Sequence, residues 1–154
     1  MSENILAVTV QTGENFPKLD LFDETDPFVI LKLEGSKKEF RSSTKNNAGE
    51  SPQWLETFQF SHVADEGKLS ITAYDEDTLT AHDLIGKAEI DIKPFANKPG
   101  EPHEAWYELK GGPAGRNKTA AIRIKLTITM IRAGNPYPYI KNVTLVHGHS
   151  KLLS

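Results

Sequence analysis

The chain has 154 residues, 38% of them hydrophobic and 25% charged, with a formal net charge of −3 and no cysteine. That length and composition allow one domain with a real core, and they exclude a disulfide scaffold and zinc sites built on thiolates. No apolar run approaches the ~20 residues of a membrane span, and Met1-Ser2-Glu3-Asn4-Ile5 lacks the flanks of a signal peptide, so a cytoplasmic setting is expected.

Residues 5–11 alternate, with Leu6, Val8 and Val10 on one face, and predict a first strand broken by Thr12-Gly13-Glu14-Asn15 and Pro17. An acidic loop follows, with Leu19, Asp20, Phe22, Asp23, Glu24 and Asp26, and runs straight into an apolar strand over 28–33. Glu34-Gly35-Ser36 reads as a hairpin turn, succeeded by a short basic strand and a polar loop over 46–53. Residues 54–60 predict a strand with Phe58 and Phe60 on one side. Strands over 68–74 and 88–92 flank a second acidic loop. Residues 106–109 form a short strand. The glycines of 111–115 make a flexible connection without the Gly-Lys-Ser/Thr of a phosphate-binding P-loop. The cleanest alternation is over 119–131, where Ile122, Ile124, Leu126, Ile128 and Met130 share a face. About eight short strands with polar turns, and nothing at a helical period, predict an all-β fold: an eight-stranded antiparallel β-sandwich. Residues 1–131 are read as that domain, and 132–154 as a C-terminal tail or linker.

The second acidic loop organises the rest. Asp75, Asp77 and Asp83 stand at its positions 1, 3 and 9, between apolar runs. Closely spaced carboxylates repel one another and are costly to bury unpaired. A hard cation turns them into a cage, because calcium takes about 6–8 oxygen ligands. An EF-hand loop beginning at Asp75 fails at Leu79, Thr80 and Gly86, where it wants an oxygen ligand, glycine and glutamate. These aspartates therefore sit between strands and need ligands from elsewhere in the chain. Two divalent ions would add four positive charges and take the formal charge from −3 to +1. An anionic membrane would repel such a chain when empty and tolerate it when loaded.

Several spaced motifs resemble one family. Leu19-Asp20, five residues and Asp26-Pro27-Phe28-Val29 resemble the first calcium loop of a C2 domain; Asp75-Glu76-Asp77 with Asp83-Leu84-Ile85-Gly86 resembles its third. Ser51-Pro52-Gln53-Trp54-Leu55-Glu56-Thr57-Phe58 is similar to the Asn-Pro-x-Trp-x-Glu-x-Phe element, with Ser51 in place of the asparagine, and Trp106-Tyr107-Glu108-Leu109 to the closing strand motif. The resemblance implies a calcium-dependent phospholipid-binding module in which Asp20, Asp26, Asp75, Asp77 and Asp83 hold two or three ions. Carbonyls of Leu19 and Glu76 complete the shells by the same analogy. The strong strand at 119–131, and the lack of one before Ile5, resemble the circularly permuted, type II strand order.

The partner that this resemblance implies is an anionic phospholipid surface, reached from the cytoplasm by a monomer. Phe22 and Leu79 would be the membrane contacts at the loop tips. Lys37, Lys38, Arg41 and Lys45 form either a basic patch for phosphoinositides or a solvated strand face, since Glu39 interrupts them. A protein partner is open, and nucleic acid is not expected. His147-Gly148-His149 reads as solvated tail rather than a metal site, and Trp54 and Trp106 as core or sandwich-edge residues. The rivals are a protein-binding scaffold stiffened by calcium and a two-metal hydrolase. No nucleophile–histidine pairing supports the second, His82 being the only imidazole near the cluster.

Overall fold

The computed structural model describes residues 4–17, 25–46, 48–76, 83–112 and 120–132. Their order is β1 (Asn4–Glu14), β2 (Pro27–Leu33), β3 (Glu39–Arg41), β4 (Gln53–Val63), β5 (Lys68–Asp75), β6 (Asp83–Asp91), α1 (Lys93–Ala96), β7 (His103–Glu108), β8 (Lys110–Gly111) and β9 (Arg123–Ile131). The strands form one sheet ordered β4-β1-β9-β7 and a second ordered β3-β2-β5-β6-β8. Every pairing among them is antiparallel. The last strand lies between β1 and β7, which is the permuted order expected of it.

Period-two alternation generates the core. Leu6, Val8 and Val10 of β1, Phe58 and Phe60 of β4, and Ile124, Leu126, Ile128 and Met130 of β9 are at most 2% exposed. They meet Val29, Leu31, Leu69 and Ile71 from the other sheet in one cluster. Fully burying each such side chain contributes about 1.5–3 kcal/mol, which is why one face of every long strand is apolar.

The differences from expectation have local causes. The first strand continues past Thr12 to Glu14 because Gln11 is an extra residue: Val10 pairs with Leu126 and Thr12 with Lys125. Such a bulge lets a strand turn without ending. β9 begins at Arg123, since the Ile122 carbonyl is engaged by the Leu109 N–H at 2.9 Å. The two-residue β8 brings the described strands to nine. The single-turn helix α1 is too short to show a helical period in sequence. Trp54 is buried and donates Nε1–H to the Ser43 carbonyl at 3.0 Å. Trp106 lies on the edge strand β7, partly exposed, beside Arg123 and Lys125.

Leu55 combines two liabilities: it is 63% exposed, and its φ of 55° is left-handed. An L-residue with a Cβ pays roughly 1–2 kcal/mol there, whereas glycine does not. Leu55→Gly should therefore stabilise the fold by up to about 1.5 kcal/mol, after allowing for glycine's greater freedom when unfolded. Urea denaturation checks this, and a lower midpoint for the variant would refute it.

Candidate metal centre

Strand pairing brings the ends of both acidic loops to one rim of the five-stranded sheet. Pro27, which opens β2, stands opposite Asp75, which closes β5; Asp75 in turn stands opposite Asp83, which opens β6. Asp75 is only 3% exposed, and its Oδ1 accepts the Asp26 N–H at 2.8 Å. The Glu76 N–H donates to the Asp26 carbonyl at 2.9 Å. Two segments 49 residues apart are thus joined through the Asp75 carboxylate and the Asp26 main chain. Like charges directly opposite one another destabilise a sheet, and a buried carboxylate adds a desolvation cost. A divalent cation at this rim would convert both into attraction.

A bulge in β6 makes the juxtaposition. Ala73 pairs with Gly86 but Tyr74 pairs with Leu84, so Ile85 is the extra residue. Ile85 turns into the core at 1% exposure and shifts the phase of the strand. Counted back from Ile90 and Ala88 by strict alternation, Asp83 would point away from Asp75; after the bulge it shares a face with it.

The described ends of the first loop are tied down as well. The Thr25 hydroxyl donates to the Pro17 carbonyl, and the Ala48 N–H to the Thr25 carbonyl at 3.2 Å. The Gly13 N–H meets the Pro52 carbonyl at 2.8 Å, and the Phe16 N–H meets the Glu50 carbonyl at 3.0 Å. The loop that carries Pro52 therefore braces the one that carries Asp26.

Of the expected ligands, Asp26, Asp75, Glu76 and Asp83 are placed at this rim. Leu19, Asp20 and Asp77 lie outside the described residues, as do Phe22, Leu79, His82, His147 and His149. Among the described residues no three acidic or imidazole groups surround a single point where an ion would sit. Among the described residues the donors at the rim are carboxylate and main-chain oxygens, without imidazole. That set suits calcium.

The four basic residues do not form one surface. Arg41 pairs with Glu76 and lies 3.8 Å from the centre of the Phe28 ring. Lys45 sits at the acidic rim, its N–H on the Pro27 carbonyl at 3.0 Å. Lys37 and Lys38 are at the other end of β3, where they line an open groove of about 380 Å³ with Lys32 and Lys68. Sequence reasoning missed Lys32 and Lys68; the outward phase of β2 and the β2–β5 register were the signals. Glu34, Glu39 and Glu89 share the groove, and Lys32 lies 3.8 Å from Glu39.

Comparison with known proteins follows the same outline. The family model for the C2 domain matches residues 4–109. Protein C2-DOMAIN ABA-RELATED 3 of Arabidopsis thaliana is 38% identical over 91 residues, which is 59% of this chain and 52% of that protein. The chain thus spans about half the length of that relative. A C2 domain of plant extended synaptotagmin 1 superposes with a TM-score of 0.76 over 88% of this chain and 99% of that domain, at 21% identity. The calcium-bound pair of C2 domains of extended synaptotagmin 2 gives a TM-score of 0.69, covering 86% of this chain and 47% of that one at 17% identity. At such identities the likeness speaks to the fold alone. β9, which fills the middle of its sheet, lies beyond the family match.

Proposed function

The chain belongs to the C2 domain family, and on that premise we propose that it is a calcium-dependent peripheral membrane-binding module. The carrying observation is the cross-strand placement of Asp75 and Asp83, with the Asp26 amide on the Asp75 carboxylate. Asp20, Asp26, Asp75, Asp77 and Asp83 hold two or three ions, with the carbonyls of Leu19 and Glu76. Bound there, calcium supplies hard positive charge and open coordination positions for phosphate and carboxylate oxygens of an anionic lipid such as phosphatidylserine. Five carboxylates carry up to ten oxygens, more than one ion uses, so sharing between ions is the economical arrangement.

Phe22 and Leu79 enter the headgroup region. Burying one of them contributes roughly 1.5–3 kcal/mol, too little for stable anchoring, so docking is reversible. Lys37 and Lys38, joined by Lys32 and Lys68, offer a second surface to anionic headgroups. No helix among the described residues is long and apolar enough to cross a membrane. The protein works as a cytoplasmic monomer recruited to the bilayer surface, with residues 1–131 as the binding domain and 132–154 as tail or linker. It binds; it does not catalyse.

Co-sedimentation with phosphatidylserine vesicles tests the reading. The chain should pellet with calcium, remain in the supernatant with chelator, and release as salt rises toward about 0.5 M. Equal pelleting with and without calcium would leave a scaffold in which the ion only stiffens loops.

A further inference from the structure

We infer that Arg41 is a positioning residue that straps the base of the second acidic loop to β3, rather than a contact for lipid. The inference rests on the calcium reading above and adds a part to it. Glu76 stands between two of the proposed ligands, Asp75 and Asp77, and it is held from three sides. Its carboxylate pairs with the Arg41 guanidinium, and the Thr44 hydroxyl donates to the same Oε1 at 3.0 Å. Its N–H donates to the Asp26 carbonyl at 2.9 Å. β3, the residues just after it and the end of the first acidic loop therefore meet on one residue of the second.

Arg41 is fixed from behind. Its guanidinium lies over the Phe28 ring at 3.8 Å, and Phe28 is stacked on Tyr74 with centroids 5.6 Å apart. Phe28 is 1% exposed although it faces outward from the sheet, because Arg41 and Tyr74 cover it. An exposed ion pair alone is a weak brace. Stacking and the second donor restrict both side chains, and a planar guanidinium does this where an ammonium does not. The consequence is a loop base ordered before any ion arrives, so less ordering remains to be done on binding. While Arg41 holds Glu76, its positive charge is also spent internally.

The test compares full-length wild type, Arg41→Gln, Glu76→Gln and the double variant. Amide exchange without calcium should accelerate over residues 74–76 in Arg41→Gln while β1 and β9 keep wild-type protection. Calorimetry with calcium and no lipid should show roughly tenfold weaker binding, the usual scale for a residue that orients a ligand. The double variant should lose no more than Glu76→Gln alone, since both changes cut the same strap. Wild-type exchange and lipid-free affinity in Arg41→Gln, with only vesicle binding reduced, would overturn the inference and make Arg41 a lipid contact. Exchange raised uniformly across both sheets would overturn it too. A wild type that bound no calcium would sink the calcium reading, and the exchange comparison would still decide the strap.

Discussion

Replacing Asp75 and Asp77 together by asparagine should abolish calcium-triggered vesicle binding and leave the sandwich folded. Asparagine keeps the shape of each side chain, and its Oδ1 still accepts the Asp26 N–H that Asp75 accepts now. What disappears is two negative charges, and ligand charge count sets the affinity of oxygen sites, so calcium binding should weaken by at least about a hundredfold. The calcium-free variant should be slightly more stable than wild type, by up to about 1 kcal/mol, because Asp75 no longer opposes the charge of Asp83. Thermal scans separate the two effects. Calcium at a concentration well above the wild-type Kd but below the variant's should raise the wild-type Tm through linkage and leave the variant's Tm nearly where it was. A variant whose Tm still climbs with calcium, or which still pellets with vesicles, contradicts the assignment of these aspartates.

A single methyl group at Gly86 should cost about 1–3 kcal/mol and lower the Tm by roughly 4–10 °C. A Cβ there would lie 2.9 Å from both the carbonyl carbon and the Cβ of Leu109, and 3.1 Å from its carbonyl oxygen. Most of what it meets is backbone, so no flexible side chain can swing away. Leu109 is itself buried, with its N–H on the Ile122 carbonyl. Relief would have to come from separating β6 and β8, which pair through Gly86–Gly111 and Lys87–Lys110. The effect should reach the proposed metal site as well. Gly86 follows the bulged Ile85, and any shift of β6 carries Asp83 with it. Gly86→Ala should thus weaken calcium binding although residue 86 offers no ligand. An unchanged Tm would show that β8 yields freely, and an unchanged affinity that Asp83 is positioned independently of it.

Much was determined along the chain alone. The alternation of Leu6, Val8 and Val10, and of Ile124, Leu126, Ile128 and Met130, selects strands and names their buried faces, because the pleat repeats every two residues wherever the strand lies. The acidic loops announce a cation site for a reason equally local: like charges at such spacing need a counter-charge. Their family spacing carried the assignment further, to named candidate ligands, of which Asp26, Asp75, Glu76 and Asp83 lie at one rim of the sheet.

Other features were decided only when distant segments paired. Period and composition are blind to the extra residue Ile85, which moves Asp83 to the face of Asp75, because a bulge exists only relative to the partner strand. The basic residues of 37–45 read as one cluster broken only by Glu39, yet β3 carries its two ends apart and gives Arg41 to Glu76, 35 residues away. Which charge a side chain answers to depends on what the fold sets beside it. Short-range pattern chose the strands and the chemistry; long-range register chose the neighbours.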